Sequence, residues 1–180
     1  MKMFSLLLVV VLFVGCQKET FYQTVKIKKQ YSVALPTFLK KTEVLNDEAS
    51  LQYQDTNKEF YVIVFDEPKI EAQQALRSLA LPTDFTSYSD VVVKDIKASL
   101  QNADFSQIEN STINGLEART FSVTGNFDAI PIYYQMAHLQ SKNTFYQIMV
   151  WTTPSKKEKY RDEMNKIIAS FKELGRRAKI

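Results

Sequence analysis

The chain has 180 residues, with 23 Lys or Arg against 20 Asp or Glu and a formal net charge of +3. So small an excess gives no basis for nucleic-acid binding. One His and one Cys exclude a Cys/His metal site. Twelve Phe and nine Tyr, beside only four Gly and five Pro, mark a packed domain and not a disordered or repetitive chain.

The chain opens on Lys2 and an apolar run, Phe4 to Val14, broken only by Ser5. The run is too short to cross a bilayer as a helix. It ends in Phe13-Val14-Gly15-Cys16, which resembles the lipobox of bacterial lipoproteins, with Phe13 where Leu is usual. The resemblance implies cleavage between Gly15 and Cys16, diacylglycerol on the Cys16 sulfur and acylation of the new amino group. Each buried CH₂ of such a chain is worth ~0.8 kcal/mol, so two or three chains hold a domain at a membrane. An ordinary secretory signal with a chance Cys, or an uncleaved anchor, are the alternatives. Removing residues 1–15 from 180 leaves 165, one domain's worth, and only Lys2 is lost from the charged set. Residues 16–23 read as lipidated Cys and tether. Gln17 does not match the usual inner-membrane retention signal, so the expected place is the outer membrane. Gln17-Lys18-Glu19-Thr20 resembles a short surface-export tag, which leaves both the periplasmic side and the cell surface open.

Alternation of apolar residues predicts short strands at 24–28 and 31–35, the second ended by Pro36, with one helical turn at 37–41. Strands at 51–55 and 59–66 flank a hairpin at Thr56-Asn57-Lys58. Phe60 to Phe65 is apolar on both faces, so it belongs inside a sheet covered on both sides. Pro68 opens a helix to about Ala80 with Ile70, Ala75, Leu76 and Leu79 as its buried stripe. Ser87 and Asp90 have capping-box spacing, and the helix 88–101 repeats apolar residues at Tyr88, Val92, Ile96 and Leu100. A strand is expected over 105–113. Asn114-Gly115 is the strongest hairpin signal and leads into 116–124. Gly125-Asn126 reads as the next turn, and long strands follow at 130–140 and 144–152. Ser155 and Glu158 form a second capping box. The last helix runs to about Leu174, with Tyr160, Met164, Ile167, Ile168, Phe171 and Leu174 on one face. On its other face Asp162–Lys166 and Lys159–Glu163 are charge pairs, and Gly175 is the cap. Arg176, Arg177 and Lys179 make a basic tail, 176–180.

Four stretches together resemble the PsbP family: Tyr31-Ser-Val-Ala-Leu-Pro36, Asn114-Gly115-Leu116-Glu117-Ala118-Arg119, the hairpin around Ser141-Lys142-Asn143, and Ile167-Ile168-Ala169-Ser170-Phe171. They span residues 24–174. The resemblance implies an antiparallel sheet flanked by helices, and members that act as adaptors without catalysis. The metal-binding His residues proposed for that family have no match, since this chain has one His. Another lipoprotein α+β fold, such as a cystatin-like one, fits the same order of elements.

The fold expected over 24–175 is therefore α+β: an antiparallel sheet of about six to seven strands with helices on both faces, an α/β/α sandwich. His138, mid-strand, offers a general base or ligand, or a plain structural residue. No nucleophile-elbow sequence accompanies it. Asp47-Glu48 and Asp66-Glu67 are adjacent carboxylates without calcium-loop spacing. The long aromatic hairpin is the candidate binding surface. Tyr133 and Tyr134 point to opposite faces, and Phe145 and Trp151 share a face opposite Tyr146. The expectation is a non-enzymatic adaptor of the cell envelope, without cofactor or metal. Its partners are membrane lipid through acylated Cys16 and another envelope protein. A binder of a small ligand or lipid, between sheet and helix, is the alternative.

Overall fold

The computed structural model describes residues 19–28 and 30–175. The leader, the Gly15–Cys16 site and the basic tail 176–180 lie outside these residues. Strands β1 (Tyr22–Ile27) and β2 (Tyr31–Pro36) form a hairpin. After β3 (Lys40–Lys41) come β4 (Leu51–Asp55) and β5 (Phe60–Pro68). Helices α1 (Lys69–Ser78) and α2 (Phe85–Ser99) follow. The meander is β6 (Gln101–Phe105), β7 (Glu109–Ile113), β8 (Leu116–Phe127), β9 (Ile130–Gln140) and β10 (Thr144–Thr152). A 3-10 turn, Pro154–Lys156, leads into α3 (Lys157–Ser170), and β11 (Lys172–Glu173) closes the described chain.

Two sheets result. The larger has eight strands in the order β3-β4-β5-β10-β9-β8-β6, with β7 also on β8, and the smaller is β1-β2-β11. Every pairing is antiparallel. The large sheet exceeds six or seven strands for two reasons. The strand expected over 105–113 holds only as β7 from Glu109, and the residues ahead of it, expected to end and follow the helix, form an additional strand β6; both pair with β8. The residues expected as a helical turn instead supply β3.

β10 sits between β5 and β9. One of its faces carries Tyr146, Ile148 and Val150, which join Val62, Val64, Ala137 and Leu139 under α3 and the small sheet. Tyr31 of β2 stacks on Phe171 at 5.1 Å and meets Tyr146 edge-on at 5.7 Å. The other face carries Phe145, on which Tyr88 stacks at 4.2 Å and Phe85 at 5.9 Å. Helices thus cover both faces, α1 and α2 on one and α3 on the other.

Several local expectations shift. On α1 the buried residues are Ala72 and Leu76, whereas Ile70 and Leu79 are exposed. The cap of α2 is Asp84, whose side chain accepts from the Ser87 N–H at 2.7 Å, so the helix starts before the expected box. β8 runs through Gly125, because its Cα faces the chain leaving α2; a Cβ there would lie 3.2 Å from the Gln101 carbonyl. The turn falls instead at Asp128-Ala129, with φ of 47° and 66°. α3 begins on the 3-10 turn without a side-chain cap and stops at Ser170, where the chain becomes β11. Asn114-Gly115 turns as expected, with φ of 48° and 85°, and the Asn114 amide also donates to the Ala169 and Phe171 carbonyls. The charged side of α3 pairs Arg161 with Glu158, while Glu163 accepts from the Thr20 hydroxyl at 2.9 Å.

The strands give the large sheet two distinct ends. β5 and β9 start, and β8 and β10 stop, at the proximal end of the sheet, where Phe60 meets Phe38 and Tyr160 of the first turn of α3. α3 runs from it to the distal end, where the Leu174 N–H donates to Gln30 at 2.7 Å. Phe171 joins α3, β2 and β10 and is fully buried. Phe171→Ala is expected to destabilise residues 19–180 by about 3–5 kcal/mol in urea denaturation. A loss below ~1 kcal/mol would contradict its place in the core.

Candidate functional site

The sheet face under α1 and α2 holds the polar interior. His138 of β9 pairs across the ladder with Arg119 of β8 and Gln147 of β10. Its Nδ1 lies 2.8 Å from the hydroxyl of Ser89 on α2, and both residues are 0 % exposed. Arg119 donates to the Thr86 carbonyl at 3.0 Å and to Asp90 at 2.7 Å, tying the first turns of α2 to the sheet. Gln147 donates to the Tyr88 hydroxyl at 2.9 Å. Burial, and then the neighbouring Arg119 charge, push the His138 pKa down to about 3. The imidazole is fully buried beneath α2, its Nε2 without a protein partner among the described residues and Phe121 edge-on at 5.2 Å. The Ser–His proximity is a packing contact between helix and sheet.

The aromatic candidates separate by register. Phe145 is buried under Phe85 and Tyr88 and belongs to the core. Tyr133 faces α3, with the Lys157 ammonium 4.7 Å over its ring and its hydroxyl donating to Gln135. Tyr134 and Trp151 share the α2 face, 5.8 Å apart between ring centres. Trp151 stacks on Tyr61 of β5 at 5.1 Å with the rings 14° from parallel. Tyr61, Trp151 and Tyr134 thus form a ladder across three strands. All three are half-buried, and Tyr134 packs against the apolar cluster below α2. Burial pushes the Tyr134 phenol up to about 12. Local sequence does not mark Tyr61, because its partner lies far along the chain; a single Tyr in an otherwise apolar strand is its only signal.

On the opposite side, a groove of about 1060 Å³ runs between the start of β1 and α3. Phe21, Tyr22, Phe38 and Tyr160 supply its apolar walls, and Lys58, Lys159 and Lys166 face Glu158, Asp162 and Glu163. The hydroxyls of Tyr22 and Tyr160 are buried without a protein partner. Burial, with Glu163 and Asp162 adding to it, pushes the Tyr22 phenol up to about 12. Of the acidic pairs, Asp47 lines a polar hollow of about 360 Å³ with Lys41 and Glu43. Asp66 accepts from Gln30, and burial raises the pKa of Glu67. Among the described residues no three His, Cys, Asp or Glu come together as a metal site.

No protein-family model and no curated protein matches the chain by sequence. Solved structures do. The cyanobacterial PsbP (CyanoP) of Synechocystis superposes with a TM-score of 0.59 at 12% identity, over 88% of this chain and 96% of that one. The fold is PsbP-like. LpqN of Mycobacterium tuberculosis, described as involved in cell envelope biogenesis, gives 0.53 at 10% identity over 81% of this chain and 83% of its own. A Pseudomonas aeruginosa protein of unknown function, described as a putative regulator, gives 0.51 at 10% identity over 87% and 98%. At these identities the likeness speaks for the fold: the PsbP-like sandwich places His138 inside a two-sided core and leaves the Tyr61–Trp151 pair at the margin of α2.

The buried histidine sets an acid sensitivity. Its pKa lies near 3 in the folded state and near 6.5 when unfolded, so the unfolded chain binds more protons between those values. Stability therefore falls as pH drops through that window, by up to about 1.4 kcal/mol per unit. His138→Gln is expected to flatten the slope of unfolding free energy between pH 6.5 and 4. Equal slopes in both proteins would mean that His138 titrates normally.

Proposed function

We propose that the protein is a bacterial lipoprotein anchored through acylated Cys16 to the outer membrane, and that its PsbP-like domain is a non-enzymatic adaptor for another envelope protein. The Tyr61–Trp151 stack carries the reading. Two large rings lie flat against each other on a sheet face, half-buried beside α2, where they offer apolar area at low entropic cost. The fold shared with an envelope-biogenesis protein supports the setting. The enclosed Ser89–His138 pair supports the absence of catalysis, and His138→Ala is then without effect on any hydrolytic activity.

A second reading, a binder of a small ligand or lipid, is favoured by the groove between β1 and α3. Its volume is of the size that ligand sites have, and two tyrosine hydroxyls in it lack protein partners. It predicts that a ligand raises the melting temperature of residues 19–180.

The adaptor reading is tested by in-cell cross-linking of the tagged full-length protein with mass spectrometry. One dominant envelope partner is expected, lost in Cys16→Ala, which also moves the protein to the soluble fraction, and weakened in Trp151→Ala. No enriched partner, or one indifferent to Trp151, would sink the adaptor reading.

A further inference from the structure

Asn114 caps a helix to which it does not belong. α3 ends at Ser170, and the last carbonyls of any helix find no partner within it. Here the Ser170 hydroxyl donates to the Ile167 carbonyl and the Phe171 N–H to that of Ile168. The Ala169 and Phe171 carbonyls accept instead from the Asn114 side-chain amide, at 2.9 and 2.7 Å. Their donor lies 55 and 57 positions away in sequence, in the β7–β8 turn. The two bonds therefore latch that turn to the point where α3 gives way to β11. The Phe171 ring meets Tyr31 and Tyr146 at the same point, and the Ser170 hydroxyl accepts from the Ala34 N–H at 2.8 Å.

The residue that makes this latch is also chemically labile. Of the eight asparagines in the chain, only Asn114 precedes a glycine. Asparagine is a thermolabile residue, and a glycine after it places no side chain beside the nitrogen that can close a ring on the amide. At Gly115 the space that a Cβ would meet is free of protein atoms within 4 Å, and both residues are exposed. The positive φ of 48° and 85° that suits this dipeptide to a two-residue hairpin is thus coupled to a reactive bond.

We infer that Asn114 is a site of spontaneous deamidation, and that its conversion releases the C-terminal end of α3. The Gly115 nitrogen loses its proton to hydroxide and bonds to Asn114 Cγ. The Cγ–Nδ2 bond breaks, ammonia leaves with a proton taken from water, and a succinimide remains. Water then opens the ring at Cγ, giving aspartate, or at the backbone carbonyl carbon of residue 114, giving isoaspartate. The step needs only water, and nothing is oxidised or reduced. Both products lose the two donors. Aspartate sets an acceptor-only carboxylate against two carbonyls at the negative end of the α3 dipole. Isoaspartate also lengthens the backbone by one carbon and upsets the Ile113–Leu116 pairing of the turn. In the folded protein the two hydrogen bonds hold the amide towards α3, so conversion waits on openings of this contact. The change runs one way and acts as a timer on the latch.

The test ages the full-length protein in detergent at 37 °C and pH 8 beside a free peptide of residues 111–119, with peptide mapping by mass spectrometry. Conversion is expected at Asn114 ahead of every other asparagine, and more slowly than in the free peptide. Asn114→Asp copies the aspartate product, and Asp-Gly suits the same turn, so its effect reads the latch. It is expected to melt about 5 °C below the unchanged protein. It should also speed amide exchange at Phe171 and Leu174, whose N–H groups bond to Ile168 and Gln30. An Asn114 that stays intact while the peptide converts, or that converts no sooner than another asparagine, overturns the modification site. Conversion as fast as in the peptide overturns the gating by α3. Unchanged melting and exchange in Asn114→Asp overturn the release of the helix end.

Discussion

A strand that is apolar on both faces cannot lie on a surface, and β10 is such a strand. With Tyr146, Ile148 and Val150 on one side and Phe145, Met149 and Trp151 on the other, it demands cover in two directions. The remainder of the fold meets that demand. α1 leaves β5 directly at Pro68, its first N–H bonded to Asn143 at the β9–β10 turn, and α2 then crosses towards β6. On the other side α3 and the β1–β2 hairpin close over Ile148 and Val150, with the Tyr31, Tyr146 and Phe171 rings packed together at the distal end. Large rings suit this role because each removes much apolar area from water for two torsions of lost freedom.

Several polar residues enclosed by this sandwich meet across its layers, although His138 Nε2 and Arg119 Nε stay buried without a partner among the described residues. His138 meets Ser89, Arg119 meets Asp90 and Thr86, and Gln147 meets Tyr88. Each pair joins a strand to α2, so the helix is held in one register on the sheet where apolar contacts alone would permit sliding. A buried side chain left without its partner costs about 1–3 kcal/mol, which penalises a shifted helix. The same enclosure strips His138 of the reactivity that a lone histidine suggests. Burial, and then the Arg119 charge, hold its pKa well below that of a free imidazole.

Function is then a matter of surfaces and ends. The distal end of the sheet is tied down by β11, Asn114 and the aromatic trio, and exposed apolar residues stand at the β8–β9 tip and on α1. The flank offers the Tyr61–Trp151 stack and the outer side offers the groove along α3.

Much of this was legible in the residues themselves. Alternation placed β9 and β10 to the residue and put Phe145 and Trp151 on one face, because a strand repeats every two residues whatever surrounds it. Asn114-Gly115 announced its turn, since positive φ at both positions is a property of the dipeptide. The four PsbP-like stretches gave the sandwich. Other features depended on how elements dock. Ile70 and Leu79 are as apolar as Leu76, yet the pose of α1 on β5 and β10 turns them outward. Gly125 looked like a turn and is a close approach, because what faces it comes from the end of α2. Tyr61 joined the aromatic ladder through the β5–β10 register, and Ser89 met His138 through helix-on-sheet packing; neither distance is written in local sequence. Local conformation and chemical inventory were thus determined by the sequence alone, while burial, partnership and the direction each end faces were decided by tertiary packing, because those depend on residues far apart in the chain.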